Sequence, residues 1–424
     1  MSGVCRSLDD DRLSNLPLAL KHIILNRLPI HDAARTCVLS KAWRETWTTQ
    51  PCLALNMLFY VRVIHNKNQE AAQLSAFSAA VDKILSVRTD PISDFQMFIP
   101  PKLHSHHIHH WIHLLPKEDV RVLKLDNSQN YACLPPSYLY DFANLKELGL
   151  FKWRLSPPPQ SRCFSNLVSV DLISVSIFAP VSFGTHLQVL KLHGCTGIEH
   201  LVFIYFNNLK TLIIGMSSKI DWRWIENAKN LEHFALLLTH ADFIQSKSVN
   251  LIRLLSNCTR INILVLNDFL LEILGPDPFT VKTHATKMVN LKTLDFCVLS
   301  FILLRISNCL CLIRNLPNLQ KLRVTLTRSN SVDSAIESYL EALDWEDVVL
   351  SKLQIVQIHG VIGVRSELQF SKILLASSPS LKEISVFCNR EITSFNEKMR
   401  IKQEFLQLPK KSQQAQLLWH DWLL

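Results

Sequence analysis

The sequence predicts an α/β protein in which an N-terminal unit of three short helices precedes an irregular solenoid built on a ladder of parallel strands. Two observations lead to this prediction. Apolar residues recur at helical spacing between residues 14 and 47. After residue 115, a six-residue pattern with apolar residues at its first, fourth and sixth positions returns eleven times. A chain of 424 residues is long enough for both parts.

The first helix is predicted from apolar residues spaced three and four apart, namely Leu16, Leu20, Ile23, Ile24 and Leu28. Pro17 suits its first turn, and Pro29 ends it. Asp32 is the expected N-cap of a second helix that runs through Val38. Because a unit of about 40 residues buries too little surface to be stable alone, we expect a partner surface to cover it.

The third helix is predicted to begin after Ser40, whose side chain can cap it. Trp43 and Trp47 then lie four residues apart on one face, and Pro51 closes the unit.

The segment from Leu16 to Arg44 resembles the plant-type F-box, with L-P pairs at Leu16 and Leu28 and then I-x-D-A-A-R-T-x-V-L-S-K-x-W-R. The resemblance implies docking on the Skp-type adaptor of a cullin–RING ubiquitin ligase. The residues on positions that pack the domain or dock it are Leu16, Pro17, Ile24, Leu25, Leu28, Pro29, Leu39 and Trp43. Ala42 departs from the family, which usually has Arg or Lys there. The alternative is a three-helix cap that packs only against its own chain.

The repeated pattern, L-x-x-L-x-L, predicts one short strand per copy, because its last three positions alternate between apolar and other residues. Parallel stacking would bury a continuous apolar ribbon, as in a leucine-rich-repeat solenoid. The spacing of 20 to 34 residues leaves room for loops or 3₁₀ turns early and for helices after Leu231. The copies begin at Val120, Leu145, Leu167, Leu187, Leu209, Leu231, Ile261, Leu291, Leu319, Leu353 and Leu381.

Asparagine precedes the first position in six copies, which indicates that a helix or turn ends there: Asn144, Asn166, Asn208, Asn230, Asn290 and Asn318. In regular repeats an Asn or Cys after the strand connects neighbouring turns. Here such a residue is clear only at Cys195 and Asn389, so the repeats are irregular.

The segment from Leu350 to Val386 resembles the FBD domain of plant F-box, FBD and leucine-rich-repeat proteins. Its residues predict a strand at 353–358, a turn through Gly360 and Gly363, and a helix capped by Ser366. The predicted organisation is a flexible N-terminus (1–11), the F-box (12–52), an N-terminal cap of the solenoid (53–119), leucine-rich repeats (120–340) and an FBD-like region (341–424).

Composition excludes several classes of function. With 9 Gly and no glycine-rich phosphate motif, nucleotide chemistry is not expected. The 11 Cys are scattered without C-x-x-C pairs, and no secretory signal is present, so we expect reduced thiols in the nucleus or cytoplasm. The net charge of +9 is dispersed, which argues against nucleic acid. The apolar run 296–313 contains Arg305 and Asn308, and we expect a buried strand and helix rather than a membrane span.

The histidine-rich segment HSHHIHHWIH would place His106, His110 and His113 on one helix face. Without a nearby Cys or an H-E-x-x-H motif, we interpret it as a polar helix face and expect no metal and no cofactor. Cys309 and Cys311 lie in an apolar run and are interpreted as core residues. No catalytic motif is present, so we expect a non-catalytic receptor subunit.

The residue between the last two apolar positions of each copy is predicted to face outward on the strand ladder. In chain order these residues are Lys124, Gly149, Asp171, Lys191, Ile213, Ala235, Val265, Asp295, Arg323, Gln357 and Ser385. Three consecutive apolar members suggest that Ile213, Ala235 and Val265 bind a protein target; the alternative is binding by loops at the repeat edges. The predicted function is a substrate-recognition subunit of an SCF-type ubiquitin ligase, with a non-degradative protein-binding scaffold as the alternative.

Overall fold

The computed structural model describes residues 11–129, 133–158, 164–203, 207–217, 220, 222–240, 255, 258–274, 288–327, 334–343 and 348–420. The predicted flexible N-terminus, 1–11, falls almost entirely outside this part of the chain. Two compact units are present: residues 1–189 with 194–204, and residues 190–193 with 205–424.

The first unit begins with three short helices, α1 (Leu18–Asn26), α2 (Ile30–Arg35) and α3 (Lys41–Thr48). The prediction for Ser40 is confirmed, because its hydroxyl accepts a hydrogen bond from the backbone N–H of Trp43 at 3.3 Å. The prediction that Asp32 caps the second helix is wrong. Pro29 occupies that place, and Asp32 lies inside the first turn, because the fixed φ of proline suits the start of a helix.

Five parallel strands continue the first unit: β1 (Cys52–Leu55), β2 (Asp94–Ile99), β3 (Val122–Asn127), β4 (Glu147–Phe151) and β6 (Ser169–Ile173). The helices α4 (Met57–Ile64), α5 (Glu70–Ser86) and α6 (Ser105–His113) lie between the early strands in sequence. Two short parallel pairs accompany them, β5 (Arg154–Leu155) with β7 (Ser176–Ile177) and β8 (Val181–Phe183) with β10 (Leu201–Phe203).

The second unit is also a parallel ladder. Its strands are β9 (Val189–His193), β11 (Thr211–Gly215), β12 (His233–Leu237), β13 (Ile263–Asn267), β14 (Thr293–Ser300), β15 (Lys321–Thr327), β16 (Ile355–Val361), β17 (Glu383–Cys388) and β18 (Gln416–His420). Its helices are α7 (Arg223–Asn227), α8 (Asp268–Leu274), α9 (Leu303–Arg314), α10 (Ser334–Ala342), α11 (Arg365–Ser377) and α12 (Phe395–Gln407).

The predicted strand pattern is confirmed, because each of the eleven copies ends in a ladder strand with its apolar positions buried. The pattern missed three further ladder strands, β1, β2 and β18. In β2 the same spacing is present as Ile92, Phe95 and Met97, but none of the three positions holds a leucine. The prediction for residues 296–313 is also confirmed, since they form the end of β14 and most of α9. None of the described helices has the length and apolarity that a membrane crossing requires.

The asparagines before the strands tie each repeat to the one before it. The side-chain amides of Asn144, Asn166, Asn230, Asn290 and Asn318 each donate a hydrogen bond to a backbone carbonyl that lies 23 to 31 residues earlier in the chain. Examples are Asn166 to Ala143 at 2.9 Å and Asn290 to Thr259 at 2.7 Å. Residues that follow a strand also form hydrogen bonds to a neighbouring repeat, and at more positions than predicted. The Cys195 thiol donates to the Leu172 carbonyl, and the Asn267 side chain donates to the Leu238 carbonyl.

The FBD-like region contains a buried carboxyl at the start of α11. The prediction that Ser366 caps this helix is wrong, because the helix begins at Arg365 and Ser366 lies inside its first turn. The Glu367 carboxylate accepts the backbone N–H groups of Ile362 and Gly363 at 3.0 and 2.8 Å. These hydrogen bonds favour the charged form, but burial prevails and raises the pKa of Glu367 to about 7.

We predict that Glu367 makes the stability of the second unit depend on pH. Between about pH 4.5 and about pH 7 the folded chain holds a proton here that the unfolded chain releases, so the free energy of unfolding falls as pH rises. The expected loss is at most about 3 kcal/mol. Urea unfolding at about pH 5 and about pH 7.5 measures it.

Glu367→Gln does not titrate and should weaken this pH dependence. Glu397→Gln, which changes an exposed carboxyl in α12, is the matched control and should behave as the unchanged chain does. An identical pH dependence in the unchanged chain and Glu367→Gln would contradict the prediction.

Candidate partner-binding surfaces

The N-terminal helices have a small core of their own, made of Leu25, Ala33, Trp43 and Trp47, with Ile84 of α5 packed against it. Leu25 and Trp43, two of the residues predicted to bind the adaptor, are only 1% and 4% exposed. Both side chains therefore stabilise the packing of the three helices, and few of their atoms are accessible to a partner. This corrects the prediction for these two residues.

The other predicted adaptor-binding residues are accessible. Leu39 is 65% exposed, Leu28 and the two prolines Pro17 and Pro29 are exposed, and Leu16 and Ile24 are half-buried. The structure adds exposed apolar residues that the predicted set did not contain. We call the N-terminal apolar surface the set Leu18, Leu20, Ile23, Val38 and Leu39.

The helical stripe predicted from the sequence is therefore mostly uncovered, since Leu20 and Ile23 lie on its open side. The Ser14 and Ser40 hydroxyl oxygens, 3.0 Å apart, bring the chain before α1 beside the start of α3. Leu39 immediately precedes Ser40, so it lies close to the start of the first helix. The signal in the sequence was an excess of apolar residues over what three short helices can bury.

The junction between these helices and the strand ladder is short and occupied by Arg88. Its guanidinium lies over the Trp47 ring, 4.3 Å from the ring centroid, and donates to the Trp47 carbonyl at 2.6 Å. It also donates to the Gln50 carbonyl at 3.3 Å. Burial lowers the pKa of Arg88 to about 10, so it stays protonated at neutral pH. The strand β1 follows within four residues of α3 and pairs with β2.

In the second unit, the predicted outward row exists in register. Ile213 pairs with Ala235, Ala235 with Val265, and Val265 with Asp295. Ile213 and Val265 are half-buried, but Ala235 is only 4% exposed, because its methyl group is shaded by larger neighbours. Ala235 therefore offers little to a partner, which corrects its predicted part in the site. Target binding at Ile213 and Val265 stays a prediction.

The row continues into a charged segment. Arg323 forms an ion pair with Asp295 at 3.1 Å and donates to the Gln357 side chain at 3.1 Å. Burial raises the pKa of Asp295, although the adjacent Arg323 opposes this shift. The mid-ladder apolar stretch is thus bounded on one side by a paired, ordered set of charges.

In the first unit, the outward row contains a cavity that the sequence did not indicate as a site. Gln96, Lys124, Gly149 and Asp171 are successive partners across β2, β3, β4 and β6. The cavity above them has a volume of about 410 Å³. A glycine inside a strand was the only signal for it in the sequence.

The histidine-rich segment forms α6 with its histidines largely exposed. His107 stacks on Trp111 with 5.4 Å between ring centroids, so this face packs aromatic rings. Burial raises the pKa of the Cys309 thiol, which is fully enclosed in α9. Within the described ranges, no three His, Cys, Asp or Glu side chains are grouped as a metal site.

Comparison with known proteins shows which domain the first helices and β1 form. Residues 13–54 match the F-box domain model. The chain is similar to F-box/FBD/LRR-repeat protein At1g13570 of Arabidopsis thaliana, with 27% identity over 96% of this chain and 98% of that protein. It is also similar to F-box/LRR-repeat protein At3g26922 of Arabidopsis thaliana, with 29% identity over 48% of this chain and 62% of that protein.

Among solved structures, the LRR protein LIC12759 of Leptospira interrogans matches 77% of this chain and 89% of its own, at 14% identity and a TM-score of 0.32. The likeness to the first Arabidopsis protein runs nearly from end to end and includes the F-box, the repeats and the FBD-like region. The chain therefore contains an F-box domain and is similar, over nearly its whole length, to a plant F-box/FBD/LRR-repeat protein.

Proposed function

We infer that this F-box protein is the substrate-recognition subunit of an SCF-type ubiquitin ligase. In this proposal the F-box docks on a Skp-type adaptor, and through it on a cullin, while the repeats hold a protein target for ubiquitination. The observation that carries the proposal is the N-terminal apolar surface, because F-box domains generally bind Skp-type adaptors.

Hydrophobic burial supplies the driving force for docking. Covering a fully exposed leucine or valine contributes about 1.5 to 3 kcal/mol, and Val38 and Leu39 are the most exposed members of the surface. A patch of this kind on a small helical unit is typical of a protein-binding site. Charged residues flank it in sequence, as at Arg35 and Lys41, which is the usual composition of an interface rim.

No catalytic group is needed in this chain for the proposed function. A receptor that holds a target beside a ubiquitin-charged enzyme increases the rate by proximity. The short junction at Arg88 suits such a role, because it joins the F-box helices to the first strands without a long linker. A long flexible linker would instead let the target sample many positions.

We predict that Leu39→Asp weakens capture of a purified plant Skp-type adaptor by at least about tenfold, because it places a carboxylate in an apolar contact. Isothermal titration of the purified chain with the adaptor measures the affinity. Phe395→Asp is the matched control, since Phe395 is 73% exposed and lies in the second unit. Equal adaptor affinity for Leu39→Asp and the unchanged chain would refute the docking proposal.

Ubiquitination of a bound target distinguishes a ligase receptor from a non-degradative scaffold. If the chain is a ligase receptor, a captured target should be ubiquitinated in a reconstituted reaction with the unchanged chain and not with Leu39→Asp. A target that binds both forms and is modified with neither would favour the scaffold.

We predict that Arg88→Ala destabilises the junction by about 2 to 3 kcal/mol, because it removes the cation over Trp47 and two hydrogen bonds from a charged donor. Urea unfolding followed by tryptophan fluorescence measures the loss. Arg121→Ala, at an exposed arginine of the same unit, should change stability by less than about 0.5 kcal/mol. Equal effects of the two substitutions would show that Arg88 does not stabilise the junction.

A further inference from the structure

The outward strand face of the first unit has a hollow where a side chain is missing. In the row Gln96, Lys124, Gly149 and Asp171, glycine has no side chain between a lysine and an aspartate, and the stem of Lys124 lies beside it, with Cγ 3.0 Å from the position of a Cβ. The next row along the strands is Phe98, Asp126, Phe151 and Ile173. Together with Met57 these two rows line the cavity of about 410 Å³, which we call the Gly149 hollow.

We propose that the Gly149 hollow binds a lysine or arginine side chain of the protein target. This proposal rests on the proposed function only in that the repeats hold a protein; it names the chemistry of one contact.

The charge of the hollow favours a cation. Asp126 and Asp171 line it, and neither makes a hydrogen bond or ion pair with another residue in the described part of the chain. The positive charge of Lys124 is balanced by Glu147, 3.6 Å away. Lys152, which lies 5.3 Å from the centroid of the Phe151 ring, is the other cation near Asp126. The hollow therefore has two carboxylates without a close partner, one lining cation, Lys124, that is paired with Glu147, and one nearby cation, Lys152.

The state of Asp126 supports this reading of the charge. Partial burial raises the pKa of Asp126, which means that its carboxylate has lost some of its hydration, while Lys152 opposes the shift. Asp126 is still exposed to solvent, so the lower local dielectric constant adds only in part to its attraction for an incoming cation.

The walls suit the stem of a long basic side chain. Phe98 is buried, Phe151 and Ile173 are half-buried, and Met57 is exposed at the mouth. Lysine and arginine bury their methylene groups along such apolar surface while the charged end stays with polar groups. Aromatic faces also attract cations, which adds to the contribution of the two carboxylates. A neutral or acidic side chain would leave Asp126 and Asp171 without compensation.

The shape of the groove favours a protein segment over a small cation. The hollow shares Asn56 and Gln96 with a second cavity of about 460 Å³, which extends past Leu58 to Leu28 of the F-box. The two cavities adjoin at these shared residues, and we call the pair of them the groove. An extended peptide can lie in this groove with one basic side chain in the hollow, whereas a small molecule would contact only a part of it.

The test is a peptide-display selection on the purified full chain, with counter-selection on Gly149→Leu. A Cβ at Gly149 would meet Lys124 Cγ at 3.0 Å, and the three atoms nearest to it all belong to the Lys124 side chain, which must move by a few tenths of an ångström to admit it. We expect the enriched peptides to share one lysine or arginine. Fluorescence polarisation of one such peptide should show at least about tenfold weaker binding to Gly149→Leu and to the double variant Asp126→Asn, Asp171→Asn.

Asp119→Asn is the matched control, because it removes an exposed carboxylate of the same unit and should leave peptide affinity unchanged. Replacing the basic residue of the peptide by citrulline or norleucine, which keep the stem and remove the charge, should weaken binding by at least about tenfold. Circular dichroism and the thermal midpoint of each variant verify that it is folded.

Three results would overturn the proposal: enrichment of peptides without a basic residue, equal binding of the neutral analogues, or no peptide that distinguishes the unchanged chain from Gly149→Leu. Binding of free N-acetylarginine amide as tightly as the peptide would also overturn it, since the ligand would then be a small cation. Adaptor affinity measured on the same variants keeps the two proposals apart, because the ligase function can fail while peptide binding persists.

Discussion

The parallel, in-register pairing of successive strands is the constraint on which the rest of the structure depends. Side chains alternate between the two faces of a strand, so a slip of one residue would turn every buried leucine outward. The asparagine ties before the strands, such as Asn290 to Thr259, hold the same register at each turn. The outward rows, including the Gly149 hollow, follow directly from that register.

The F-box is joined to this ladder rather than tethered beside it. Its last residues form β1, which pairs with β2, and Arg88 clamps the end of α3 through Trp47. This arrangement explains how helices with a core of four residues can leave Leu39 and Val38 exposed. Ile84 of α5 adds packing to that small core, while Leu39 and Val38 stay exposed.

Periodicity and capping could be predicted from the sequence, because they depend on neighbours along the chain. The eleven copies all became strands, and Ser40 caps α3 as expected. The predicted caps Asp32 and Ser366 lie inside the first turns of their helices, because these helices begin at Ile30 and Arg365, earlier than the capping patterns indicate. The shading of Ala235 and the Gly149 hollow depend on residues 20 to 30 positions away, which local patterns do not reveal.

In the proposed complex the F-box helices bind the adaptor, and the strand faces stay free for a target. Hydrogen exchange, measured on the full chain alone and with a purified plant Skp-type adaptor, tests it most directly. With the adaptor present we expect slower exchange at residues 14–24 and 36–44, and no change in β3, β4 and β11 to β13. Protection of those strands by the adaptor, with the helices unaffected, would contradict it.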